Sequence, residues 1–114
     1  MTDDLELKDI DSYCGTMQYH NVLGFNVTDG IAYIINNGYS WFVTDTLAVI
    51  KTNATIRKEE FLSIKLKLKN KGAEVIITDG NDKELYKHHY SFTTAKRELT
   101  LFYQNKVLML DGEY

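Results

Sequence analysis

The side chains able to do chemistry in this chain are few and scattered. Its three histidines fall at His20, in a run rich in aromatics, and at His88 and His89, adjacent in a strand-like stretch. Neighbouring strand residues face opposite ways, so His88 and His89 do not ligate one ion from a regular strand, and no zinc-ligand spacing accompanies His20. Asp79, Asn81, Asp82 and Glu84 depart from the ligand pattern of a calcium loop and lie between strand-like runs, which favours a hairpin turn. Cys14 and His20 are near enough in sequence for a nucleophile and its base. No carboxylate at a recognisable spacing orients that pair, and a small apolar role for Cys14 is the simpler reading. The sequence therefore assigns no catalytic residue, no metal and no cofactor.

Two carboxylates stand out. Asp29 and Asp45 fall on successive helical stretches near Tyr39 and Trp41, and acids sharing a cleft can do acid–base work when burial raises one pKa. Helix capping by Asp29 and a buried hydrogen bond from Asp45, pushed toward the interior of an apolar helix, account for both without catalysis. Lys65, Lys67, Lys69 and Lys71 alternate with apolar residues and form a row about 6 to 7 Å apart on one strand face. Such a row can meet phosphates or an acidic protein, but it more commonly keeps a wet sheet face soluble, with Glu74 and Glu84 on neighbouring strands to neutralise it. Eight tyrosines, five phenylalanines and Trp41 exceed the needs of a small core. Tyr13, Tyr19, Tyr33 and Tyr39 form the preferred binding patch, because such rings anchor interfaces with few rotatable bonds.

The elements that must position these groups divide the chain in two. Asp3 to Tyr13 places Leu5, Leu7 and Ile10 among acids, as in a short helix held by docking. Cys14 to Phe25, with Gly15, Asn21 and Gly24 between aromatics, reads as irregular. Thr28 is a natural N-cap with Asp29 in the first turn, Ile31, Ile34 and Ile35 recur at helical spacing, and Asn37-Gly38 should stop the helix. Ser40 can cap a second helix from Trp41 to about Lys51, apolar most of the way round and therefore central. From Phe61 the period changes to two. Runs from Leu62, Ala73, Leu85, Glu98 and Val107 read as strands separated by turns at Lys71-Gly72, Asp79–Asp82 and Gln104–Lys106. The expected architecture is one α+β domain, residues 1–58 mainly helical or irregular and 59–114 a four- or five-stranded antiparallel meander, with the N-terminal helices on one face.

Composition narrows the classes. With 114 residues, 44% apolar and 25% charged, the chain has the profile of one packed domain. Its longest apolar runs are far short of the roughly 20 residues a membrane helix needs. The acidic start, MTDDLELKDID, does not read as a secretory signal, and with a single cysteine no intrachain disulfide can form, so a cytoplasmic address is expected. The formal charge is only -3, yet Asp3, Asp4, Glu6, Asp9 and Asp11 concentrate negative charge at the front. That distribution argues against a whole-surface nucleic-acid binder and for a basic partner.

The chain resembles a family of small bacterial and phage proteins of unknown function. The likeness rests on Gly15-Thr16 followed by Tyr19, Thr28-Asp29-Gly30 leading into Ile31 and Tyr33, Gly38-Tyr39 with Trp41 and Asp45, Asp79-Gly80-Asn81, Val107-Leu108 and Glu113-Tyr114. Here Gly38-Tyr39-Ser40-Trp41 replaces the family's Gly-Ala-Tyr-Trp, and residues Ser91 to Lys96 lack its Asp-Phe-Pro. The resemblance implies an α+β domain of phage or mobile-element association and transfers no catalytic residue.

The expected function is a non-enzymatic protein-binding module, such as an inhibitor of a host defence system of the CRISPR kind. It would engage a basic, nucleic-acid-handling partner through Asp3, Asp4, Glu6, Asp9, Asp11, Tyr13, Tyr19, Tyr33 and Tyr39, and a homodimer is open to it. Two other readings stay in view: a small enzyme or ligand-binding cleft around Asp29, Asp45, His20 and Tyr39, and a nucleic-acid binder acting through Lys65 to Lys71.

Overall fold

The computed structural model describes residues 7–114. Asp3, Asp4 and Glu6 lie outside the described residues. Of the helix anticipated over Asp3 to Tyr13, the described portion is a single 3-10 turn, Ile10–Ser12.

Among the described residues, two short strands precede the first α-helix. β1 (His20–Val22) and β2 (Phe25–Val27) form an antiparallel hairpin. Leu23 and Gly24 both take positive φ, 55° and 88°, as a two-residue turn matched to strand twist requires. The segment expected to be irregular is thus partly sheet. Leucine at the first turn position hides the usual Asn-Gly or Asp-Gly signal, and strands this short carry little alternation.

α1 (Asp29–Ile34) begins as expected: the Thr28 hydroxyl accepts from the Ile31 amide at 3.4 Å. The helix fails at Asn37 and Gly38, where Gly38 has φ +101°, a conformation that only glycine adopts cheaply. α2 (Ser40–Thr52) follows and is the one long helix. Ser40 does not cap it; its own backbone is already helical and no side-chain bond closes that end. A four-residue helix, α3 (Ala54–Arg57), is capped by the Asn53 carbonyl oxygen accepting from Ile56 at 3.1 Å.

The remaining strands are β3 (Phe61–Lys69), β4 (Gly72–Thr78), β5 (Glu84–Tyr90), β6 (Leu99–Gln104) and β7 (Val107–Leu110). They join the first hairpin in a single seven-stranded sheet of order β1-β2-β7-β6-β3-β4-β5. This corrects the expected architecture: among the described residues there are seven strands instead of four or five, a strand hairpin comes before the α-helices, and the sheet is mixed. β2 and β7 run parallel, with Asn26 opposite Val107 and Val27 opposite Leu108. Nor is the order a meander, because after β5 the chain crosses β3 and pairs β6 on its far side. β3 lies inside the sheet, between β6 and β4, for a physical reason. It is the longest strand, nine residues, and its Leu62, Ile64 and Leu66 are buried.

Alternation then sorts the two faces. Leu62, Ile64, Leu66, Val75, Ile77, Leu101 and Leu108 share one core with Ile31, Ile34, Phe42, Leu47 and Ile50 of the helices. Lys65, Lys67 and Lys69 stand exposed on the opposite side, so the anticipated wet face holds for these three. Lys71 falls in the Asn70-Lys71 turn and leaves the row. Lys69 reaches Glu74 at 3.8 Å, whereas Glu84 pairs with Lys87 at 3.6 Å on its own strand instead of neutralising the row.

Candidate functional site

The first turn of α1 gathers side chains from three distant parts of the chain. Glu113, in the final 3-10 turn (Asp111–Glu113), accepts the Thr28 hydroxyl at 2.5 Å and the Gly30 amide at 3.0 Å, and also the Leu110 amide at 3.0 Å. A carboxylate is favoured there because the first amides of a helix have no internal acceptors and carry partial positive charge. Gly30 is needed for the approach: a Cβ at that position would sit 2.5 Å from a Glu113 oxygen and from a Leu110 methyl. On the other flank the Asp29 amide donates to the Thr16 hydroxyl at 2.9 Å. The Asp29 carboxylate accepts from the Met17 amide at 2.9 Å and from His20 Nε2 at 2.8 Å. The His20 bond, followed by the Met17 bond, holds the Asp29 carboxyl below its ordinary value of 3.8.

A shallow cleft of about 500 Å³ opens beside this cluster, lined among others by Tyr13, Met17, His20, Asp29, Tyr33 and Asn37. Tyr13 and Tyr33 pack with ring centres 5.0 Å apart, and the Tyr33 hydroxyl accepts the Asp9 amide at 3.1 Å. Of the tyrosines expected at a binding surface, the fold therefore brings Tyr13 and Tyr33 together and leaves Tyr19 58% exposed nearby in sequence. Tyr39 is a correction: it is fully buried, its hydroxyl accepting from the Lys96 amide at 3.3 Å. It packs as core because the kink at Gly38 turns it inward at the start of α2. Asp9 and Asp11 are exposed, Asp9 bonded to Tyr33 of the cleft and Asp11 3.8 Å from Arg97 in a neighbouring hollow.

Asp29 and Asp45 do not share a cleft. Asp45 is exposed instead of interior, because the apolar stripe of α2 runs through Phe42, Val43, Thr46, Leu47 and Ile50 and leaves position 45 at its margin. Its carboxylate accepts from the Tyr90 hydroxyl of β5 at 2.6 Å. Burial first, and the Asp45 hydrogen bond next, push the Tyr90 phenol well above its usual range. A second cleft of about 300 Å³ opens here between Trp41, Asp45, Tyr90, Phe92, Thr93 and Thr94. It went unread in the sequence, since only sheet order brings residue 90 beside residue 45. Cys14 is exposed and lines a third hollow with Arg97 and Asp111, so it is neither a packed apolar group nor among the residues lining His20's cleft. Asp79 uses Oδ1 to accept the Asn81 and Lys83 amides at 2.8 and 3.2 Å, which is turn chemistry. Among the described residues no three of His, Cys, Asp and Glu converge as metal ligands.

Residues 4–114 match a family of unknown function, DUF6876. The chain belongs to DUF6876. No curated protein and no solved structure matches it. The residues that carried the resemblance also meet in space in this member of DUF6876: Thr16 and the Thr28-Asp29-Gly30 turn join Glu113 at the head of α1, while Trp41 and Asp45 flank the Tyr90 cleft. Among the described residues no helix is long and apolar enough to cross a membrane.

Proposed function

We propose that this chain is a non-enzymatic binding module that engages a basic protein partner through the surface around the head of α1. The observation that carries the reading is the exposure of Met17 at 95%, Tyr19 at 58% and Leu23 at 52% along one short stretch. Single exposed apolar residues are ordinary. Here Met17 lines the same cleft as the Tyr13–Tyr33 pair, and the exposed Asp9 donates its amide to the Tyr33 hydroxyl, a combination of apolar anchors and charged rim found in interfaces. The acids select a basic partner and speed its approach. The His20–Asp29 pair fits such a surface as a brace, because Asp29 is already engaged by the Met17 amide and holds the loop in shape.

The narrower form of this proposal is an inhibitor from a phage or mobile element that occupies a nucleic-acid-handling component of host defence of the CRISPR kind. It draws on the acidic front of the chain and on the family likeness. Affinity capture from the native host, followed by mass spectrometry, tests both forms. The expected result is a basic partner retained by the wild type and lost by Met17→Asp/Tyr19→Asp. Retention by that variant overturns the surface assignment, and unaltered capture after reversing Asp3, Asp4 and Glu6 to lysine removes the electrostatic part.

A second reading has its own observation. On the open sheet face Phe61, Phe102 and Tyr114 form a ring cluster with centres 5.1, 5.6 and 5.2 Å apart, on the face that carries Lys65, Lys67 and Lys69. Rings beside cations can hold a single-stranded nucleic acid. That reading requires binding that weakens steeply with salt.

A further inference from the structure

We propose that the cleft between the start of α2 and the end of β5 binds a methylated ammonium cation. Its lining includes three aromatic side chains, Trp41, Tyr90 and Phe92, together with Asp45. Trp41 and Tyr90 pack edge to face at 72°, with centres 5.3 Å apart, which fixes both rings beside the cleft. Trp41 is fixed in that pose: its indole N–H donates to the Gly38 carbonyl at 3.0 Å and its ring stacks on Tyr39 at 6.3 Å. Phe92, from the loop after β5, lines the same cleft and is 69% exposed.

The chemistry of the walls selects the ligand. Aromatic faces attract cations through the ring quadrupole, tryptophan most strongly, and the attraction grows as the cation is desolvated. A bare ammonium ion wants several hydrogen-bond acceptors. Two of the acceptors here are already engaged, Asp45 Oδ2 by the Tyr90 hydroxyl and Thr93 Oγ1 by the Ala95 amide at 3.1 Å. A methylated head donates no or few hydrogen bonds and exchanges apolar contact with the rings, while Asp45 Oδ1 balances its charge. A volume of about 300 Å³ sits at the small end of ligand pockets and suits such a head. This site stands apart from the surface proposed for the protein partner and does not depend on that reading.

The chain has a single tryptophan, so its fluorescence reports on this cleft. Titration with choline should change the emission saturably, whereas 3,3-dimethylbutan-1-ol, a neutral isostere, should bind at least about tenfold more weakly. Phe92→Ala and Asp45→Asn, both at exposed positions, should each weaken choline about three- to thirtyfold, with an unchanged circular dichroism spectrum. A trimethyl-lysine peptide run in parallel assigns the source: tighter binding than choline means a protein-borne head, weaker binding a free small cation. Equal binding of the neutral isostere, no saturable response to either cation at tens of millimolar, or undiminished binding by both variants overturns the proposal.

Discussion

Glu113 shows how much one side chain can organise. Its oxygens take the Thr28 hydroxyl and two amides that would otherwise lack acceptors, tying the last turn to the head of the first helix. Glu113→Ala should lower unfolding free energy by about 2–3 kcal/mol in urea denaturation, combining a lost cap with partly buried donors left unsatisfied. Glu113→Gln should cost less, since a single amide oxygen in the place of Oε1 can still accept two of the three. Asp29 gives a pH prediction. Because its folded pKa lies below 3.8, its contribution to stability is present above the unfolded value and disappears as pH falls through the lower folded one. Asp29→Asn should therefore flatten the loss of stability on acidification below about pH 4, followed by thermal melts across that range. An unchanged acid limb would show that the His20 and Met17 bonds do not distinguish folded from unfolded protein.

At the scale of elements, the kink between α1 and α2 aims Trp41 at β5 and buries Tyr39. Gly38 holds φ +101°, so Gly38→Ala should destabilise by about 1–2 kcal/mol through left-handed strain, and should also disturb Trp41 emission because the indole N–H bonds the Gly38 carbonyl. Thermal melts and fluorescence together check this. The kink was readable from Asn37-Gly38, as were the strands from residue 61 onward, because Leu62, Ile64 and Leu66 against Lys65, Lys67 and Lys69 leave no other period. The hairpin of β1 and β2 was not readable: three residues each are too few for alternation, and Leu23 conceals the turn. Part of the site was legible in the same way. Thr28-Asp29-Gly30 announces a capped helix locally, but the partners it finds, Glu113 and Thr16, are set by tertiary pairing, and so is the meeting of Asp45 with Tyr90. Tyr39 and Tyr33 look alike in sequence and are separated only by which side of the kink they fall on.

Across the whole molecule, two faces compete for a functional role, and charge tells them apart. The surface around Tyr13 and Met17 is rimmed by acids, while the open sheet face displays Lys65, Lys67 and Lys69. Lys65→Glu/Lys67→Glu should leave partner capture intact if the first surface operates, and should abolish any retention of single-stranded nucleic acid at low salt if the second does; a gel-shift assay beside the capture experiment separates them.

The parallel seam between β2 and β7 joins stretches about 80 residues apart in sequence, a closure whose entropic cost comes before most of its reward. Assembly should accordingly finish at that seam. In stopped-flow experiments Val27→Ala should hasten unfolding far more than it slows refolding, whereas Ile64→Val, in the long interior strand β3, should slow refolding. The opposite pattern would place the seam in the nucleus.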